Sequence, residues 1–135
     1  MPGKWAPFPD IEAMIRSALA DANVAGGRVY SSVPARPTYP LVQVQRLGGL
    51  PAVERRLDRA RIQIDVWGNS KSEAFDIAET ARLVAHEAEA TAFGEWHGFI
   101  TAVEDELGMT FLPDPETNRD RYVFAVAVYA ASFVT

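Results

Sequence analysis

The stretch from Arg121 to Phe133 constrains the fold more than any other part of the chain. Phe124, Val126, Val128 and Ala130 alternate with Val123, Ala125, Ala127 and Tyr129, so a strand here is apolar on both faces. Such a strand lies central in a sheet, or has one face covered by helices and the other by a partner. The apolar run from Tyr122 to Val134 is too short for a bilayer-spanning helix, which needs about 20 apolar residues.

A central strand needs neighbours, and two segments supply them. Between Arg59 and Trp67, Ile62, Ile64 and Val66 alternate with Arg61, Gln63 and Asp65, the pattern of a sheet wet on one face. From Tyr39 to Leu47, Val42 and Val44 alternate with Gln43 and Gln45, and Gly48-Gly49 and Pro51 are expected to break the strand. The two should pair as a long antiparallel hairpin with Leu47 to Asp58 projecting as its tip. Arg28 to Val33 reads as a further short strand. Gly98 to Val103 and Gly108 to Leu112 read either as a hairpin or as one strand bent at Glu104 to Gly108.

Helical periodicity appears twice. Ile11, Met14, Ile15, Ala18, Leu19 and Ala22 form a stripe after Asp10, a suitable N-cap. Ala74, Ile77, Ala78, Ala81, Val84, Ala85 and Ala88 form another, after a Ser70 to Glu73 capping box. Pro2, Pro7 and Pro9 predict an extended arm over residues 1–9. The expected architecture is α+β: one domain over 1–135, with a mostly antiparallel mixed sheet. Its two helices pack on one face, and a long β-hairpin projects from it.

At 135 residues with 48% hydrophobic content, the chain can bury enough surface to fold without metals or disulfides. It has no cysteine, which excludes a disulfide framework and a thiolate site. Met1 to Pro7 has no apolar core of signal-peptide length, which predicts a cytosolic protein or one packaged from the cytosol into something larger.

Motifs for chemistry are scarce. No phosphate-binding glycine motif occurs, and Gly26-Gly27 and Gly48-Gly49 are bare turn pairs. His86 and His97 lie on separate elements with no matching carboxylate spacing, so neither a metal site nor a catalytic site is expected. No cofactor is expected either. Glu104-Asp105-Glu106 could join Asp114 and Glu116 around a cation, but consecutive acids on a strand point to alternate faces, which favours a solvated turn. The three tryptophans and four tyrosines fit core or subunit-interface positions better than a base-stacking platform, which needs a basic surround.

Charge is segregated more than its net value of −5 suggests. Arg46 to Arg61 carries five arginines against two acids, while Glu87 to Glu116 carries eight acids and no Lys or Arg. This suits docking of one subunit on another, and equally two solvated surfaces of opposite sign. Leu50, Val53, Arg55, Arg56 and Arg59 mix apolar and arginine side chains as interfaces do, with insertion into the core as the alternative.

Taken together, the motifs resemble the tail-terminator proteins of long-tailed, non-contractile bacteriophages, especially those of actinobacterial hosts. The resemblance is carried by Tyr39-Pro40-Leu41-Val42-Gln43-Val44, Arg46-Leu47-Gly48-Gly49, and Leu57-Asp58 leading into Ile62 to Gly68. The helix with Ala74 and Ala78, Pro113-Asp114-Pro115 and Arg121-Tyr122-Val123 complete it. It implies a virion protein, assembled in the host cytoplasm, that forms a homohexameric ring. Such a ring caps the tail tube, stops its polymerisation and joins the head-tail connector. The edge strands and the Arg55 to Arg59 tip would then be candidates for contacts with neighbouring subunits or tube protein. Glu104, Asp105 and Glu106 would line a channel through which DNA slides without specific binding. Two rival readings are another neck or head-completion protein, and a small α+β enzyme or ligand-binding domain with a pocket between sheet and helices.

Overall fold

The computed structural model describes residues 7–52 and 56–133. Helix α1 (Ile11–Asp21) starts where the Asp10 side chain accepts the N–H of Ala13 at 3.0 Å, closing one of the helix's free donors. After it come β1 (Val29–Tyr30), β2 (Leu41–Ala52) and β3 (Leu57–Trp67). Helix α2 (Lys71–Glu87) precedes β4 (Thr91–Phe93), β5 (Gly98–Phe111) and β6 (Arg121–Ser132). The capping box of α2 is offset from its usual form. Ser70 accepts the N–H of Glu73, while Glu73 reaches back to the N–H of Asn69 at 2.8 Å.

The six strands form one sheet in the order β1-β2-β3-β6-β5-β4, with β1 parallel to β2 and every other pair antiparallel. Both helices lie on one face of it. Ile11, Met14, Ile15 and Leu19 of α1 share a core with Ala78 and Ala81 of α2. Ile62, Ile64 and Val66 of β3 and Phe124, Val126 and Val128 of β6 form its floor. The alanines of α2 that face the sheet (Ala74, Ala78, Ala81 and Ala85) are fully buried, so the helix backbone approaches the strands closely. A Cβ on Gly68 would stand 2.6 Å from the N of Ala74, so only glycine fits where β3 turns into that helix.

β6 is the central strand that its doubly apolar pattern demands, flanked by β3 and β5. Among the described residues no helix lies over its second face, yet Ala125 and Ala127 are fully buried there. Long side chains from the neighbouring strands close over them, as described below.

Several element boundaries differ from those expected. Gly48-Gly49 and Pro51 do not end β2, which runs on to Ala52 through a bulge between Arg46 and Gly49. Gly48 and Gly49 take φ of 80° and 108°, and a Cβ on Gly49 would meet the carbonyl oxygen of Arg59 at 2.0 Å. The glycine pair therefore serves a bulge rather than a stop. The hairpin is paired out to Ala52↔Leu57, and β6 flanks β3 as far as Asp58. The part that extends past the sheet is thus shorter than Leu47 to Asp58. Of the two alternatives for residues 98–112, the structure has a single long strand, bent by register shifts at three places. The strand expected over Arg28 to Val33 shrinks to Val29–Tyr30, and β4 was not expected at all.

Candidate functional site

The sequence-derived candidates fall on the sheet's open face and its outer edges. Alternation decides which residue goes where. Arg59 pairs with Tyr129 and Arg61 with Ala127, so both arginines point away from the helices. Glu106 occupies the bulge between Asp105 and Leu107 and turns to the same face. There its carboxylate bridges Arg59 Nη2 at 2.9 Å and Arg61 Nη1 at 3.3 Å, and Arg59 Nε donates to the Tyr129 hydroxyl at 3.0 Å. This bridge spans β6 from β3 to β5 and roofs its alanines.

The acids Glu104, Asp105 and Glu106 therefore do not share one surface. Glu104 pairs with Ala127 on the open face, is exposed, and has no ion pair among the described residues. Asp105 turns to the helix face, where it accepts from Arg82 Nη2 at 2.6 Å and lies 2.8 Å from His86 Nε2. Hydrogen bonds from Arg82, then from His86, hold its carboxyl below the usual range. Alternation along the strand accounts for this: Glu104 and Glu106 share the open face and Asp105 takes the other.

Of the tip candidates, Leu50 is 76% exposed on the outer strand, and Arg56 is exposed in the turn. Val53 and Arg55 lie outside the described residues. Arg59, which opens the strand expected from the sequence, lies within β3. Asp58 is no tip residue. It is 2% exposed, on the helix face, and receives both guanidinium arms of Arg46, Nη2 at 2.8 Å. A bidentate pair of this kind fixes the bulged part of β2 against β3.

Three features escaped the sequence reading. Glu12 of α1 accepts the backbone N–H of Arg46 at 2.7 Å, and Glu89 accepts that of Val103 at 3.0 Å. Both N–H groups point outward from long strands with short partners. At the other end of the open face, Asp65 is 5% exposed between Gln63 (3.0 Å) and Arg121 (3.5 Å). Burial raises its carboxyl above the usual range, against the opposing pull of Gln63 and Arg121. Trp67 donates to Asp114 at 2.8 Å, locking the 113–120 turn to the sheet. Asp65 was readable only as a wet-face residue, and no local signal marked Glu12 or Glu89.

A shallow groove of about 200 Å³ between the end of α1 and α2 is lined by Asn23, Ala25, Asp76, Ile77 and Thr80. It is smaller than ordinary ligand pockets. Among the described residues, no three His, Asp or Glu side chains lie close enough to share a metal ion. The residues with unusual environments are instead those of the open face and edges.

A family model described as tail completion protein gp17 matches residues 12–128. The chain belongs to this tail completion family. Its members are structural proteins of the phage virion, and that is the class into which the open face and edges now fit. No curated protein matches the chain. Among solved structures it is similar to a chain from the virion of a native gene transfer agent particle. The TM-score is 0.55 at 15% identity, over 90% of this chain and 95% of that one. At that identity the likeness concerns the fold alone.

Proposed function

We propose that the chain is a tail terminator of the kind found in non-contractile phages of actinobacterial hosts. The whole chain, 1–135, acts as one unit of a homohexameric ring. The ring caps the tail tube, stops its growth and presents a surface to the head-tail connector. Membership of the tail completion family carries this reading. The resemblance of the Tyr39 to Gly68 and Pro113 to Val123 motifs to terminators narrows it.

Within that role, Leu50, Val53, Arg55, Arg56 and Arg59 are the candidates for contact with a neighbouring subunit or the tube. Glu104 is the acid best placed to face passing DNA, because Asp105 and Glu106 are each held by cations of their own chain. A single carboxylate per subunit still repeats around a ring, which keeps the polyanion from adhering.

Electron microscopy of the purified protein, alone and mixed with tail tubes grown without it, tests the proposal. Six-fold rings seated on tube ends, with tube length arrested, are expected. Binding to the portal side with bare tube ends would instead make it a neck protein. A monomeric mass at every concentration, with and without tubes, would overturn the ring.

A further inference from the structure

The two long outer strands of the sheet are only half covered. β1 pairs with β2 only at Val42 and Gln43, and β4 pairs with β5 only from Gly98 to Ile100. Just beyond each short partner a glutamate closes the next part of the edge: Glu12 on the N–H of Arg46, Glu89 on that of Val103. Past these caps, residues 47–52 of β2 and 104–111 of β5 have no strand on their outer side among the described residues. An open strand edge is a ready template for another chain.

The two free edges differ in charge: residues 47–52 of β2 carry none, whereas β5 carries Glu104 to Glu106. That of β2 leads into the arginine-rich turn with exposed Arg56. That of β5 carries exposed Glu104 and belongs to the stretch 87–116, which has no Lys or Arg. Each also shows leucine to solvent, Leu47 (46%) and Leu50 (76%) on one, Leu107 (36%) on the other. Two β5 edges would repel one another, whereas a β5 edge placed beside β2 meets Arg56, so charge favours β2 against β5.

We infer that the free edge of β5 in one copy pairs antiparallel with the free edge of β2 in the next, making one continuous sheet through the assembly. A contact between two different edges is heterologous, and it generates a ring when its rotation closes. The position of the free halves fits closure. Arg46, Ile62, Val126 and Asp105 share one row across the sheet. The free half of β2 lies on one side of that row and the free half of β5 on the other. Joining them offsets successive copies along the strand direction, the stagger that tilted strands need in a closed sheet. The inference rests on the ring reading above, and it names the surface that would build the ring.

The absence of cysteine makes cross-linking a clean test. Leu50→Cys and Leu107→Cys both replace exposed side chains on the open face, so the new thiols would project from the same side of a joined sheet. The two single variants are mixed, assembled with tube ends where needed, and oxidised. Cross-links between L50C and L107C are expected, with few in either variant alone. The double variant should give a ladder ending at the ring's own subunit number. Amide exchange over 47–52 and 104–111 should slow at least about tenfold on assembly. L50C linking to itself would mean two-fold pairing of β2 and overturn the inference. Rings without cross-links or added protection would overturn it while leaving the ring reading intact. A Leu83→Cys control on exposed α2 that links as well as L107C would also overturn it. Absence of any oligomer, even with tubes, would sink both.

Discussion

Arg59 and Glu106 meet at 2.9 Å although their strands do not pair with one another, because the bridge crosses over β6. Arg61 joins from two residues along β3. The bridge holds three strands in register on a face that no helix covers. Since the arginines are partly exposed, the bridge is a weak contact that solvent screens. In a double-mutant cycle, Arg59→Ala and Glu106→Ala should show a small favourable coupling by urea unfolding. Raising the salt to 1 M should reduce it by at least half.

The bulge of β2 makes a sharper prediction. At Gly49, a Cβ would strike the backbone of Arg59, whereas at Gly48 nothing among the described residues stands within 4 Å. Both have positive φ. Gly48→Ala should therefore cost about 1 kcal/mol of unfolding free energy from backbone strain alone. Gly49→Ala should cost clearly more, about 3 kcal/mol, and should increase amide exchange along residues 47–60. Equal costs at the two sites would show that the bulge does not need the close approach.

Acid titration should separate two kinds of carboxylate. The pKa of Asp65 is raised above 3.8 in the fold, so its contribution to stability is complete below 3.8 and lost as pH rises through the folded value. Asp105 and Asp114 are lowered, so theirs is present above 3.8 and lost as pH falls through their folded values. Asp65→Asn should raise stability at pH 7 relative to wild type, with the gain shrinking toward pH 4. Asp105→Asn should lower it at pH 7, by under about 1 kcal/mol given its exposure, with the deficit vanishing in acid. Chemical denaturation across pH 3 to 8 reads both.

Glu12 and Glu89 close outward N–H groups at opposite edges of the sheet. Replacing either by alanine leaves that N–H to water and should cost about 0.5–1.5 kcal/mol. It also lengthens the open edge. Static light scattering should show faster growth of large species for each variant than for wild type, and fastest for the double variant. Unchanged exchange rates at the Arg46 and Val103 amides would show that the caps are not closed in solution.

How much of this was legible depended on the range of the interactions. The alternation of Ile62, Ile64 and Val66, the alanine stripe of α2 and the doubly apolar β6 are local periodicities, and each produced its element. The glycine pair at 48–49 was legible as unusual backbone and read as a stop, whereas it serves a bulge. Only the β3 strand beside it decides that. The three-residue β4 exists because β5 offers it an edge, so its own sequence carries no signal. Glu12 is 34 residues from Arg46, and the ion pair of Asp58 depends on where the bulge aims Arg46. The candidates Arg59 and Glu106 were legible individually, but their meeting was not, since it needs the strand order β3-β6-β5.

The alanines beneath the Arg59–Glu106 bridge set how firmly that face is shut. Lifting the bridge wets little more than the methyl groups of Ala125 and Ala127, at about 0.8 kcal/mol each. Leucines there would have glued the arms down. With alanine beneath them the arms are held by their charges alone, with little apolar area added to the contact.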